Sequence, residues 1–121
     1  IQMGTRFVSS EESPVHENFK GAIVNGSEQG TYILNKKSKP CIRALKTDLT
    51  DKIYEEGQMD MSALGGIKDL YFGGDMNAAP ALAGQSIGLI NKVMPVEEII
   101  KQTMQEFNTV CDTLTNSKFE L

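Results

Sequence analysis

Apolar residues recur every three or four positions in several parts of this chain, which is the spacing of one helix face. The pattern predicts five helices, at 14–24, 47–56, 61–72, 80–90 and 95–116. The last of them has the longest apolar stripe, and Pro95 suits a helix start. Its apolar positions are Val96, Ile99, Ile100, Met104, Phe107, Val110, Cys111 and Leu114.

Strand signals are fewer and shorter. The runs 30–34 and 41–45 are β-prone, and the opening stretch 1–5 fits the end of a buried strand. Helices therefore outweigh strands, and the pattern predicts a mainly α fold with a few short strands (α+β) in one region, 1–121. The loop between the two runs carries Lys36, Lys37 and Lys39, which could bind an anion, although a solvated loop is the commoner use of such a run.

Local signals mark the ends of several helices. Ser13 followed by Pro14 predicts a helix start, and Thr47 predicts another that ends at Gly57. Glycines at 65 and 66 weaken the middle of helix 61–72.

The stretch 78–90 consists mostly of alanine, glycine and other small residues. A helix of this kind either packs tightly in a core or lets its backbone approach a planar ligand. Gln85 and Ser86 carry its only polar side chains, and we take them as candidates for a substrate pocket.

Composition excludes several classes of function. The net charge is −4, with 12 basic and 16 acidic residues, and no basic face is visible, so nucleic acid is a poor partner. No run of 18 apolar residues could cross a membrane. Cys41 and Cys111 are too far apart in sequence for a disulfide framework or a zinc spacing, which predicts free thiols, no metal site and a cytoplasmic protein. His16, near a helix start, is interpreted as a surface residue.

The opening stretch offers the clearest chemistry. Gly4 lets the backbone approach another group closely, and Thr5 adds a hydroxyl beside it. Amides at the carboxyl end of a barrel strand can bind a cofactor phosphate. The alternative is an ordinary turn from a strand into a loop.

Four segments in this order resemble the C-terminal portion of the nitronate monooxygenase family, formerly called 2-nitropropane dioxygenases. Flavin-dependent enoyl-acyl-carrier-protein reductases belong to the same group. The segments are Gln-Met-Gly-Thr-Arg-Phe at 2–7, Glu-Ser-Pro-Val-His at 12–16, Arg-Ala-Leu at 43–45, and Gly-Asp at 74–75 with Ala-Gly-Gln-Ser-Ile-Gly-Leu-Ile at 83–90.

The resemblance implies a (β/α)8 barrel that binds FMN. It assigns 1–5 to the last barrel strand with a phosphate-binding turn, 6–75 to a mostly helical insertion and 76–121 to terminal barrel helices. The residues that it places against the FMN phosphate are Gln2, Met3, Gly4 and Thr5.

The function implied is flavin-mediated oxidation of nitronates with O2. The alternatives are a flavin-dependent enoyl-acyl-carrier-protein reductase and a non-catalytic helical interaction domain. The family's catalytic histidine is expected upstream, and His16 does not inherit its role, so we assign no catalytic residue and expect the 121-residue chain alone to be inactive. Partners would be FMN, a small-molecule substrate, the remaining N-terminal barrel portion and, in a homodimer, a second copy.

Overall fold

A computed structural model describes residues 1–117 of the chain. Over this range it is mainly helical with one antiparallel pair of strands, which confirms the predicted balance of elements. In chain order the regular elements are α1 (Thr5–Val8), α2 (Glu17–Val24), β1 (Thr31–Leu34), β2 (Ile42–Leu45), α3 (Asp48–Glu56), α4 (Ile67–Tyr71) and α5 (Val96–Asn116), with short 3-10 helices at Met61–Leu64 and Gln85–Leu89.

The two helices with strong local signals form where they were predicted. The Thr47 side chain accepts a hydrogen bond from the Thr50 amide, and the Thr50 hydroxyl accepts one from the Thr47 amide, which completes a capping box before α3. Gly57 ends α3 with a φ of 76°, a left-handed conformation in which glycine is favoured. Helix α5 begins at Val96 after the extended residue Pro95.

The predicted helix 80–90 is wrong. Residues 81–83 run extended beside β2, where the Leu45 amide donates to the Ala81 carbonyl at 2.8 Å and the Ala83 amide to the Arg43 carbonyl at 3.3 Å. Only Gln85–Leu89 is helical, as a 3-10 helix. Small side chains let this segment lie close to the hairpin, and pairing with β2 overrides the helix propensity of alanine.

Three other boundaries also differ from the prediction. Helix 61–72 is divided at Gly65 and Gly66 into a 3-10 helix and α4. Helix α2 starts at Glu17 rather than at position 14, because His16 is its extended N-cap and accepts from the Asn18 amide at 3.1 Å. The histidine is thus a half-buried cap rather than a surface residue.

The predicted opening strand is likewise not seen. Residues 1–3 have no regular structure and α1 begins at Thr5. A strand exists only where another segment lies beside it to exchange hydrogen bonds, and no described segment exchanges backbone hydrogen bonds with residues 1–3. The segment 76–117, assigned to terminal helices, contains one α-helix, α5, and one 3-10 helix.

Two apolar clusters hold these elements together. The larger joins α2, β2, α4 and the 79–90 segment around Phe19, Ile23, Leu45, Leu70, Ala79, Ala81, Ala83, Ile87 and Ile90. The smaller joins the hairpin to α3 and the segment after it through Leu34, Ala44, Ile53 and Met59. The segment 79–83 lies against β2, and its alanines are buried in the larger cluster.

Helix α5 packs on the rest of the chain with a small part of its surface. Ile99 is 2% exposed, whereas Ile100 is 50% exposed and Leu114 is 69% exposed. Within residues 1–117 no helix is long and apolar enough to cross a membrane.

Candidate functional site

A cleft of about 580 Å³ lies between the opening segment, the 84–94 segment and the first three turns of α5. The opening segment contributes five consecutive residues, from Gln2 to Arg6. The other lining residues are Gly84, Ser86, Leu89, Ile90, Asn91, Lys92, Met94, Ile99, Gln102, Thr103 and Glu106. Residues from both ends of the chain thus meet in one concave site.

Thr5 ties two walls of this cleft together. Its hydroxyl oxygen accepts a hydrogen bond from the Gly84 amide at 2.8 Å, although the two residues are 79 positions apart. A hydroxyl also has one proton to donate. Thr5 can therefore donate a hydrogen bond to a ligand while its oxygen accepts one from the Gly84 amide. The side chain is therefore both structural and available for chemistry.

The amides of Gly4, Thr5 and Arg6 donate to no acceptor among the described residues. The first N–H groups of a helix lack intrahelical partners, and here they lie at the cleft. An anion placed there would meet several N–H donors, which is the arrangement by which backbone amides bind phosphate.

Gly4 is not required by the conformation or packing of this chain. Its φ of −98° and ψ of −68° are open to any residue, and a Cβ added there would meet nothing within 4 Å. The space beside the Gly4 backbone is therefore open on the side where a ligand would approach.

Arg6 fixes the end of the opening segment. Its guanidinium donates to the Ser9 hydroxyl at 3.2 Å and to the Lys92 carbonyl at 2.8 Å. Partial burial lowers the pKa of Arg6 from its ordinary value, but a guanidinium stays charged at neutral pH. The cleft thus has a fixed positive charge beside the free amides.

Glu12 positions the helix that forms the far wall. Both of its carboxylate oxygens accept from the Val96 amide, at 3.0 and 2.9 Å, where the positive end of the helix dipole favours an anion. The Glu11 amide donates to the Met94 carbonyl at 3.0 Å just before this cap. The segment after α1 therefore sets where α5 begins.

Five of the six predicted site residues lie in one cleft. Gln2, Met3, Gly4, Thr5 and Ser86 line the cleft, whereas Gln85 does not. Successive side chains of a 3-10 helix point about 120° apart because it has three residues per turn, so Ser86 can face the cleft while its neighbour turns to solvent.

Sequence reasoning missed the lining residues on α5, which are Ile99, Gln102, Thr103 and Glu106. Their spacing of three, one and three marks one helix face, but only Ile99 among them belongs to the apolar stripe predicted from the sequence. Arg6 and Lys92 were also missed. Arg6 adjoins the Gly-Thr pair, and that position was the available signal.

Other reactive side chains lie outside the cleft. Cys41 and Cys111 are exposed and unpaired, and His16 serves α2. Among residues 1–117 there is no group of His, Cys, Asp and Glu side chains that could hold a metal ion.

Comparison with known proteins gives a family match and two similar solved structures. The sequence model of a family described as nitronate monooxygenase matches residues 1–106. The structure of FabK from Thermotoga maritima is similar with a TM-score of 0.86 and 34% identity, and covers 94% of this chain and 38% of its own.

A mutant of the same FabK has a TM-score of 0.81 and 35% identity, and covers 94% of this chain and 36% of its own. This chain thus spans little more than a third of the length of these solved proteins. The comparison with curated proteins finds no match.

Proposed function

Since this chain belongs to the nitronate monooxygenase family, we propose that its cleft holds the phosphate end of FMN in a flavin-dependent oxidoreductase. The observation that carries the proposal is the group of amides at residues 4–6, which have no acceptor among the described residues and lie in the cleft between the opening segment and α5. The proposed ligands are Gln2, Met3, Gly4 and Thr5.

The residues present fit a phosphate. Amides and the Thr5 hydroxyl supply hydrogen-bond donors, and Arg6 supplies positive charge nearby. Hydrogen bonds from such donors to a charged acceptor are roughly twice as strong as neutral ones. Lys92 adds a second cation at the rim, while Glu106 is the one acidic side chain among the lining residues.

Gly4 supports the same proposal. Neither backbone conformation nor contacts within residues 1–117 require a glycine there. A ligand that lies against the backbone does require one, because any Cβ would hold the phosphate away from the amides.

The reaction proposed is oxidation of a nitronate with O2. Bound FMN would supply the redox chemistry, and the protein would supply binding, orientation and electrostatics. Of this chain's residues, Gln2 to Thr5 would bind the cofactor. Ser86, which lines the cleft, is the proposed substrate-pocket residue, whereas Gln85 lies outside the cleft. No residue here is assigned a proton transfer.

The second candidate is reduction of an enoyl thioester. It is favoured by the similarity to two FabK structures at 34% and 35% identity over 94% of this chain. The resemblance described above includes reductases of that kind. Assays with an alkyl nitronate under O2, and with an enoyl thioester and reduced nicotinamide, separate the two reactions.

The outward face of α5 is the proposed contact with the remaining barrel portion. Ile100, Met104 and Phe107 are 50%, 53% and 55% exposed here, and a groove beside them is completed by Ile1, Met3 and Phe7. Apolar surface of this extent is usually covered in a mature protein. The cleft and this groove are neighbours on α5, because Thr103 lines both of them.

The flavin proposal is tested on the polypeptide as its gene encodes it. We expect a yellow protein whose visible spectrum is that of bound FMN, and we expect Gly4→Val to lower FMN occupancy far more than it lowers folded yield. Gly21→Val is the matched control, because Gly21 also has nothing within 4 Å of an added Cβ but lies on α2. Full FMN occupancy in Gly4→Val would refute the phosphate site.

A further inference from the structure

Arg6 is a partly buried cation that has no anionic partner in the part of the chain that the structure describes. Both salt bridges found within residues 1–117 involve Lys101 on α5. Desolvation lowers the pKa of Arg6, as expected for a cation with no carboxylate beside it. Charges that lose contact with water are usually paired, so the partner that Arg6 favours is an anion from outside residues 1–117.

Two neutral acceptors fix the Arg6 guanidinium in place. One Arg6 nitrogen, Nη1, donates to both the Ser9 hydroxyl and the Lys92 carbonyl. Ser9 is fully buried, and its hydroxyl donates back to the Arg6 carbonyl at 2.9 Å. Neutral acceptors hold the group without neutralising it. A guanidinium also has N–H donors on Nε and Nη2, and these remain for a ligand.

The charged residues that line the cleft are Arg6, Lys92 and Glu106. The Glu106 carboxylate accepts from the Gln102 side-chain amide on the same helix at 2.7 Å, and it forms no salt bridge with Arg6. Of the three, only Arg6 belongs to the segment whose amides have no acceptor among residues 1–117. Its charge is therefore next to the donors proposed for the phosphate.

We propose that Arg6 is a specificity-determining residue of the cleft, and that its charge selects the dianionic form of a phosphomonoester. The inference rests on the proposed function, because FMN ends in such a group. Backbone amides donate hydrogen bonds to a phosphate of either charge. A guanidinium adds a full positive charge and a planar fork of donors that matches phosphate geometry, so it favours the form with two negative charges.

The titration of the phosphate separates this role from a structural one. The second ionisation of a phosphomonoester has a pKa of about 6, so the dianion predominates at neutral pH and the monoanion in mild acid. If Arg6 only held the Lys92 segment in place, its loss would weaken binding equally at both pH values. If its charge selects the dianion, its loss removes the pH dependence of binding.

The experiment measures the FMN dissociation constant of the polypeptide as its gene encodes it, by quenching of flavin fluorescence. Titrations are made at about pH 7.5 and at about pH 5, on either side of the phosphate ionisation. We expect the wild type to bind FMN about three- to tenfold more weakly at the lower pH, following the fraction of dianion. Glu106→Gln should keep this fall, because the titrating group is on the ligand.

Arg6→Gln should bind FMN at least about tenfold more weakly than the wild type at neutral pH, because it removes a charged donor, and should lose less than about twofold more in acid. Arg6→Lys keeps the charge and should keep the fall in affinity with pH. The matched control is Lys68→Gln on α4, an exposed lysine outside the cleft, which should behave as the wild type at both pH values. Far-UV circular dichroism checks that each variant folds.

The outcomes distinguish this inference from the function on which it rests. A wild type that binds no FMN refutes the proposed function, and the inference with it. A wild type that binds FMN equally well at both pH values, or an Arg6→Gln variant with the wild-type pH dependence, overturns the inference alone. Should Arg6→Gln fail to fold, Arg6→Lys decides, because loss of the pH dependence in a variant that keeps the charge overturns the inference as well.

Discussion

The Gly84 amide donates to the Thr5 hydroxyl at 2.8 Å and so joins the opening segment to the 84–94 segment at the cleft. Removing the hydroxyl leaves this amide without its acceptor. We expect Thr5→Val to lower the free energy of unfolding by about 1 kcal/mol, the net value of a typical hydrogen bond, and to speed hydrogen exchange at the Gly84 amide. Urea unfolding and exchange measured by NMR check both effects.

Thr5→Ser is the control for this prediction, because serine keeps the hydroxyl. Its Gly84 amide should exchange at close to the original rate. Unchanged protection of Gly84 in Thr5→Val would show that the bond does not hold the cleft walls together.

Because Glu12 caps α5, a substitution of Glu12 should destabilise a helix that begins 84 positions later in the sequence. Glu12→Ala removes both acceptors of the Val96 amide and should cost about 0.5–2 kcal/mol of unfolding free energy, as loss of a helix N-cap does. Glu12→Gln keeps an acceptor and should cost less. Glu11→Ala, at the neighbouring exposed glutamate, should change the urea midpoint little, and equal losses at positions 11 and 12 would contradict the capping role.

Protonation of Asp60 should contribute to the loss of folding stability in acid. Hydrogen bonding from the Ser62 amide, at 2.8 Å, lowers the pKa of Asp60 from its ordinary 3.8. A carboxylate whose pKa is lower in the folded state stabilises the fold above its unfolded pKa, and that contribution is lost as pH falls through 3.8 and then through the lower folded value. Asp60→Asn keeps an acceptor but does not titrate. We therefore expect urea midpoints of the two proteins to agree at neutral pH and the wild type to lose more between neutral and strongly acidic pH. Parallel pH profiles would contradict this assignment.

Phe107 tests the proposed contact of α5 with the remaining barrel portion. In the 121-residue chain this side chain is 55% exposed, so Phe107→Ala should change unfolding by less than about 0.5 kcal/mol. In a polypeptide that also carries the proposed barrel portion, burial of the ring would raise the cost to about 3–5 kcal/mol. Asn108→Ala, on the next position of the exposed helix, serves as the control in both lengths. Equal small effects at both lengths would show that this face stays open.

Elements with signals inside their own sequence could be predicted, whereas elements that depend on distant contacts could not. The Thr47 cap, Gly57 and the long apolar period of α5 all act within a few residues. The extended segment 81–83 instead follows from its hydrogen bonds to β2. Its alanines and glycines gave no local sign of that pairing.

The site shows the same division. The Gly-Thr pair at 4–5 drew attention to the right segment, because glycine next to a hydroxyl is a local signal. Ser86 lines the cleft and Gln85 does not. This difference depends on the 3-10 helix that the segment forms in place of the expected α-helix. The contribution of Thr103 and Glu106 depends on how Glu12 places α5, which cannot be deduced from α5 itself.

The alanines of segment 79–83 have a consequence for how this sequence can drift over generations. Ala79 and Ala81 are fully buried and Ala83 is 6% exposed, and the next residue is Gly84. A bulkier side chain at any of these alanines would have to push the segment away from β2 or from the core, and Gly84 would move with it. Natural selection that preserves the cleft must therefore also preserve small residues that never touch its contents, and a screen of random variants would find them intolerant although no ligand reaches them.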